Sequence, residues 1–354
     1  MGSGVKEISF YAFNRSEFQG TLKIGENVTT IEKGAFKQCK FIGDLIIPDN
    51  VKLIKEEAFH STNFTGNLQI GNGIENIPEK AFQNCNTQGR LIIGNGVKTI
   101  GNYAFDGCNF SGNLIIHDEI TSIGTNAFSS TNFTGDLQIG NGIENIPEKA
   151  FQNCNTQGAL IIGNGVKTIG NYAFYGSNFQ GSFTMGKNVT SIGTSAFENC
   201  GCTQELIISE NVTTIGTRAF ANSKFTPKFY TSNIEGPTAW VIIPDQVVSI
   251  ETEAFLNCSG LIAPPTTAIY SAITIGSSVK YIGDHAFTCY DKSSNQYLPL
   301  DKDVRVYCKP QEPPTLGNDV FGNQKLNKLY VSQISSVDTY KRTNWINYFW
   351  EIAY

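Results

Sequence analysis

Apolar residues return along this chain in a fixed order. The stretch from Phe64 to Cys85 shows one full round. Phe64 is followed two residues later by Gly66, which suits a tight bend. Leu68-x-Ile70 is an alternating pair of the kind a short strand needs. A turn rich in Gly and Asn, Gly71–Gly73, comes next. Ile74 and Ile77 then make a second apolar pair, and Ala81-Phe82 and the small Cys85 close the round. The pattern predicts a short strand, a turn, a second buried column, and a single helical or 3-10 turn that carries Ala-Phe on the opposite wall.

The round repeats every 23 residues. Ala-Phe starts at Ala12, Ala35, Ala58, Ala81, Ala104, Ala127, Ala150, Ala173, Ala196 and Ala219, continues more loosely at Ala254 and Ala286, and degenerates to Val320-Phe321. One block is copied almost unchanged: Ser61–Phe110 recurs as Ser130–Phe179 with four differences, Asn67/Asp136, Arg90/Ala159, Asp106/Tyr175 and Cys108/Ser177. A period of this length signals a solenoid, a propeller or an array. A solenoid tolerates such duplication because each repeat touches only its neighbours. Stacking puts like on like, in a Leu/Ile column, a Val/Ile column and a Phe column. A second Phe column, Phe18 to Phe225, is interrupted at Thr87, Thr156 and Cys202. Each large side chain so buried contributes about 1.5–3 kcal/mol. About 12–13 repeats are expected over residues 1–328, irregular after 225, where Phe225–Trp240, Leu261–Ala272 and Thr288–Asp303 read as surface loops.

Composition narrows the function by exclusion. The 354 residues carry a formal charge of −5, with no basic footprint for nucleic acid. No run of 18 apolar residues offers a membrane span. The opening MGSGVKEI lacks the apolar core of a signal peptide. Val5 and Ile8 match Val28 and Ile31, so the first repeat begins at its middle. The expectation is that an upstream segment, with a secretion signal in it, has been removed.

Chemistry is sparse. Cys39, Cys85, Cys108, Cys154, Cys200 and Cys258 all stand four residues after the Ala of Ala-Phe, where other repeats hold Thr62, Thr131, Ser177 or Ser223. A buried column bonding to backbone explains that choice of residues better than a metal or redox site, for which paired CxxC and nearby His are missing. Cys289 and Cys308 lie outside the pattern and are candidates for a bridge. His60, His117 and His285 occupy three different repeat positions, so stacking brings no two together. No phosphate loop, HExxH or G-x-S-x-G occurs. No enzyme activity, cofactor or metal is expected.

The motif V-x-x-I-G-x-x-A-F-x-x-C followed by L-x-I resembles the BspA-type leucine-rich repeat proteins, a cell-surface family of Bacteroides-like bacteria. Val306–Asn323 and Leu329–Ile352 resemble the closing module of such proteins. The resemblance implies a right-handed leucine-rich-repeat solenoid with short parallel strands. It also implies export to the cell surface or beyond, and adhesion to host proteins, extracellular matrix, glycans or other cells. The alternative is a structural spacer presenting another domain. A monomer is expected. Two features depart from the family pattern: most strands carry Gly where Pro usually follows L-x-I, and no lipoprotein anchor is visible. Residues 329–354 read as a cap over the last coil. Ser335-x-x-Asp338 fits a capping box, and Val337, Tyr340, Trp345, Tyr348, Phe349 and Ile352 fall at roughly helical spacing.

A candidate binding face follows from strand alternation. If Leu and Ile point inward, the residue between them points out. That row is Lys23, Ile46, Gln69, Ile92, Ile115, Gln138, Ile161, Thr184 and Ile207, continued by Ile242. Five of the first nine are Ile, although a merely soluble protein would place polar residues there. β-Branched residues also suit a parallel sheet, so the row has a structural reading as well. The ligand-binding candidates on the implied concave sheet are Ile46, Gln69, Ile92, Ile115, Gln138, Ile161 and Ile207, rimmed by Arg90, His117 and Glu205. Gln69/Ile92 and Gln138/Ile161 would form two nearly equal patches able to engage a repetitive ligand.

Overall fold

The structure, a computed structural model, describes residues 4–202, 206–225, 239–258, 272–298, 300 and 304–354. They gather into two compact units, Met1–Val166 with Ala173–Gly181, and Lys167–Tyr172 with Ser182–Tyr354.

In the first unit each repeat makes one coil with three sides. On the first side the Leu-x-Ile pairs from residue 45 onward form three-residue strands stacked in parallel, with Leu68 beside Leu45 and Leu91 and Ile70 beside Ile47 and Ile93, while Leu22 and Ile24 lie outside any strand. Leu137–Ile139 pairs in the same way with Leu114–Ile116 and Leu160–Ile162. The second side is also a parallel sheet, of two-residue strands. Thr30–Ile31 lies between Glu7–Ile8 and Leu53–Ile54, and Thr99–Ile100 between Asn76–Ile77 and Ser122–Ile123.

The third side carries Ala-Phe. It is a run of tight turns, not the helical or 3-10 turn its sequence suggests. Ala58, His60 and Thr62 donate to carbonyls three residues back, whereas Phe59 and Ser61 donate to Ala81 and Gln83 of the next repeat. Glu57 and Ser61 make this alternation possible by adopting φ of 57° and 55°. A helical turn would aim every amide at its own chain and leave none to bind coil to coil. The left-handed residues turn alternate peptides along the stack instead.

Inside, the columns are built of stacked side chains. Phe59, Phe82, Phe105, Phe128 and Phe151 stack face on face, with centroids 5.2–5.4 Å apart. The second Phe column meets them at steeper angles, as where Phe110 meets Phe105 edge-on. Thr87 and Thr156, in the interrupted slots, are buried with hydroxyls that find no partner.

The small-residue column bonds to backbone as its composition suggests. Cys39, Cys85, Cys108 and Cys154 donate to the carbonyls of Phe13, Phe59, Phe82 and Phe128 at 2.8–3.0 Å. Thr62 and Ser177 donate to Phe36 and Phe151 from the equivalent position. Burial pushes the Cys154 thiol up to about 12, so it stays a proton donor. All nine cysteines are free thiols. The bridge considered for Cys289 and Cys308 is therefore not formed. Cys308 instead lies against the core, its sulfur 3.2 Å from the Tyr340 hydroxyl oxygen.

The second unit keeps the same rules with looser spacing. Thr214–Ile215, Ser249–Ile250, Tyr281–Ile282 and Thr315–Leu316 pair in series, although the chain between them lengthens. Of the expected loops, residues 226–238, 261–271, 299 and 301–303 lie outside the described residues, and residues 239–240 and 272 begin strands rather than ending loops. Within the last of those loops, Cys289–Asp291 and Gln296–Leu298 form an antiparallel hairpin. Near the C-terminus, strand Leu326–Val331 leads into the helix Ile334–Lys341, a 3-10 turn at Asn344–Asn347, and strand Phe349–Ala353. The capping box does not form. Gln333 is the N-cap, without a side-chain cap bond, so Ser335 already lies inside the helix. Phe349 and Ile352 belong to the strand that pairs with Leu326–Val331 rather than to a helix. Tyr340 and Trp345 are fully buried and donate to the carbonyls of Pro310 and Pro314.

Candidate functional site

The stack has faults, and each has a residue at its cause. After every first strand comes one slot whose backbone lies against the preceding coil. Gly71, Gly140 and Gly163 donate there to Ile47, Ile116 and Ile139 at 2.7–2.8 Å. A Cβ at Gly71, Gly94, Gly140 or Gly163 would come within 2.6–2.7 Å of a carbonyl oxygen. On these three-residue strands such an approach suits glycine, which has no Cβ to clash.

Three 23-residue repeats carry another residue in this slot: Pro48, His117 and Ser209. Among the described residues, the first strand of each of these repeats is unpaired with that of the repeat before. Leu45–Ile47 and Leu114–Ile116 each begin a new sheet, and residues 206–208 form no strand. Beyond residue 272 the strands are longer, and Lys309 and Ser332 fill the slot without a break.

At His117 the imidazole sits where glycine would be. Its Nε2 lies 3.1 Å from the Gly94 carbonyl oxygen. A carbonyl only accepts, so Nε2 carries the proton. Nδ1 is buried without a protein partner. The parting of Leu91–Ile93 from Leu114–Ile116 is local. Ser111 still donates to Gly89, Thr121 to Lys98 and Gly124 to Ile100. Ile93, whose counterparts Ile70 and Ile116 are buried, becomes half-buried. The result is a cavity of about 430 Å³ lined by Arg90, Leu91, Ile92, Ile93, Asn95, Gly112, Asn113, Ile115 and His117.

The second sheet breaks by a different route. Lys55, Gly101 and Gly124 donate to Ile31, Ile77 and Ile100 just after each second strand. The duplicated block puts Pro78 and Pro147 at that position, and proline has no N–H to give. The sheet is interrupted at both places, between Leu53–Ile54 and Asn76–Ile77, and between Ser122–Ile123 and Asn145–Ile146. At Pro78 the break opens a second cavity, of about 380 Å³. Lys33 and Glu56 on its wall already pair with each other at 2.9 Å.

Ile46, Ile92, Ile115, Ile207 and Ile242 are 45–61 % exposed. Gln69 and Gln138 are exposed, and Ile161 is half-buried. Register sets Ile46, Gln69 and Ile92 side by side on one sheet, and Ile115, Gln138 and Ile161 on the next. Arg90, Ile92, Ile115 and His117 meet around one cavity. Glu205 lies outside the described residues, and Ile207 belongs to the second unit.

The sequence matches the BspA type leucine rich repeat region over residues 6–134, 121–262 and 229–341, in six copies. The chain belongs to this BspA-type leucine-rich repeat family. Its fold is similar to that of a leucine-rich repeat protein from Bacteroides ovatus, 18 % identical with a TM-score of 0.53, over 94 % of this chain and 91 % of that one. The pneumococcal vaccine antigen PcpA is matched at 14 % identity and a TM-score of 0.43, over 99 % of this chain and 92 % of that one. No curated protein matches the chain in sequence. Among the described residues of this BspA-type protein, no helix is long and apolar enough to cross a membrane. Sequence reasoning missed Pro78 and Pro147 as sheet breakers. The signal was present, since Gly101, Gly124, Gly193 and Gly216 occupy the same slot elsewhere.

Proposed function

We propose that this BspA-type repeat protein is a non-catalytic recognition and adhesion module. It acts at the cell surface, a location inferred from the family, and binds a protein or glycan ligand such as host extracellular matrix. The observation that carries the reading is the outward row, where Ile46, Ile92 and Ile115 stay 45–52 % exposed on short strands that water can reach. Apolar surface gathered in one place favours a partner that covers it. A spacer would have no use for it. Within the same reading, residues 329–354 serve as the cap of the second unit, supported by the full burial of Tyr340 and Trp345.

The test uses the full chain on an array of matrix proteins and glycans. Ile92→Asp with Ile161→Asp is expected to abolish the binding found while the circular dichroism spectrum stays that of the parent. Undiminished binding by the folded double variant would move recognition off this face.

A further inference from the structure

The cavity at His117 differs from the rest of the strand face in charge as well as shape. Arg90 stands at its edge, exposed, with no ion pair to any described residue. Its aliphatic stem lies across Gly112, where an added Cβ would come within 3.4 Å of it. The guanidinium has no counter-ion among the described residues. The floor is Ile92 and Ile115, each about half exposed. Asn113 is engaged only through its side-chain oxygen, which accepts from Asp136 N–H, so its NH₂ remains a donor. Asn95 donates from its backbone to Asn72 and keeps its side-chain amide unused. A cation, two amides and a flat aliphatic floor therefore converge on a space of about 430 Å³, within the roughly 300–1,000 Å³ of small-ligand sites.

We propose that this cavity binds a carboxylate-bearing sugar residue, a hexuronate unit of an acidic glycan. The carboxylate pairs with Arg90, whose planar fork suits two-point binding. The C–H face of the pyranose covers Ile92 and Ile115, and the ring hydroxyls meet Asn95 and Asn113. The floor favours a sugar over an acidic peptide: a pyranose carries an apolar C–H face beside its carboxylate, and an Asp or Glu side chain does not. The duplication supplies an internal comparison. The second copy carries Ala159 for Arg90, with Ile161 in place of Ile92, so it retains the apolar residue and lacks the cation. The formal charge of −5 opposes non-specific adsorption of a polyanion, so binding reports on a local site.

This inference rests on the strand-face reading above, and the experiment separates the two. Tetragalacturonate and its methyl ester are titrated against the full chain by calorimetry. The acid is expected to bind, and the ester, which keeps the ring and loses the charge, to bind at least tenfold more weakly. Arg90→Ala, on an exposed side chain, should lower affinity for the acid at least tenfold and leave the ester unaffected. Arg90→Lys should recover part of the loss. No binding of the acid, equal binding of acid and ester, or an unchanged Arg90→Ala would each overturn the proposal. So would Arg90-dependent binding of a poly-glutamate peptide without binding of tetragalacturonate. If array binding depends on Ile92 and Ile161 but not on Arg90, the carboxylate site fails and the face stands. If it depends on none of the three, the face fails too.

Discussion

Phe105 stacks between Phe82 and Phe128 and also meets Phe110 edge-on. Phe174, its duplicate, stacks on Phe151 and meets Phe179 in the same way. Both are fully buried. Truncation to Ala removes a ring from a column that cannot close, because the backbone ladders on all sides of the coil fix the spacing. Each Phe→Ala variant should lose roughly 3–5 kcal/mol of stability, read by urea unfolding. Negligible losses in both would mean the column is not core. These positions were legible in the sequence because burial dictates identity at every repeat. The left-handed residues were only half legible. Three residues after the Ala the chain often uses Asn or Gly, as at Asn84, Asn153, Asn199, Asn222, Gly107 and Gly176, types that tolerate positive φ, but Arg15, Gln38, Ser61 and Ser130 take the same conformation. One residue before the Ala it uses, among others, Glu57, Lys80, Tyr103 and Arg218 at φ of 55–57°. Nothing about those side chains announces a conformation that costs them about 1–2 kcal/mol. It is held by the coil-to-coil hydrogen bonds, which no single repeat can show.

At the level of elements, the sequence revealed the strands and hid the faults between them. Leu-x-Ile alternation marked the first strand from Leu45–Ile47 to Leu160–Ile162, whereas the same pattern at Leu22/Ile24 and Leu206/Ile208 forms no strand. The second strand was seen only as a Val/Ile column, since two residues carry no period. The terminal aromatics look helical because 3.6-residue and two-residue spacings coincide over a few positions, and packing of Phe349 and Ile352 beside Leu326 and Leu329 settled the strand. Faults were harder, because they depend on what a side chain would strike in the next coil. That dependence makes them testable. His117→Gly should let Leu114–Ile116 join Leu91–Ile93, raising hydrogen-exchange protection of amides 114–117 and closing the cavity. Gly140→His should do the reverse, since a Cβ there would meet the Ile116 carbonyl oxygen at 2.7 Å, and should lower protection at 137–140. Unchanged exchange in both variants would remove the Cβ at this slot as the cause of the fault.

For the whole molecule, the duplicated block sets an unusual condition. Removing residues 71–139 joins Ile70 to Gly140 without altering the local reading LQIGNGIENIPEKAF, because both copies share it. The hybrid repeat then meets Leu45–Ile47 on one side as Leu68–Ile70 does now, and Leu160–Ile162 on the other as Leu137–Ile139 does now. No new kind of interface arises within the first unit. In a structure whose stability is a sum over repeats and their neighbours, losing three repeats lowers the midpoint and leaves the fold. The excised segment contains Arg90, Ile92, Asn95, Asn113, Ile115 and His117, while Ile161 remains. The shortened chain should therefore unfold cooperatively, with the parental circular dichroism per residue, and should no longer bind tetragalacturonate. A shift of frame supplies the contrast: removing residues 71–130 joins Ile70 to Thr131, drops the second strand from one coil and puts Phe133 where a turn belongs. That variant should not fold. If both deletions fold equally well, like-on-like stacking is not what specifies this chain. If the in-phase deletion folds and still binds the acid, the carboxylate site lies outside the excised coils.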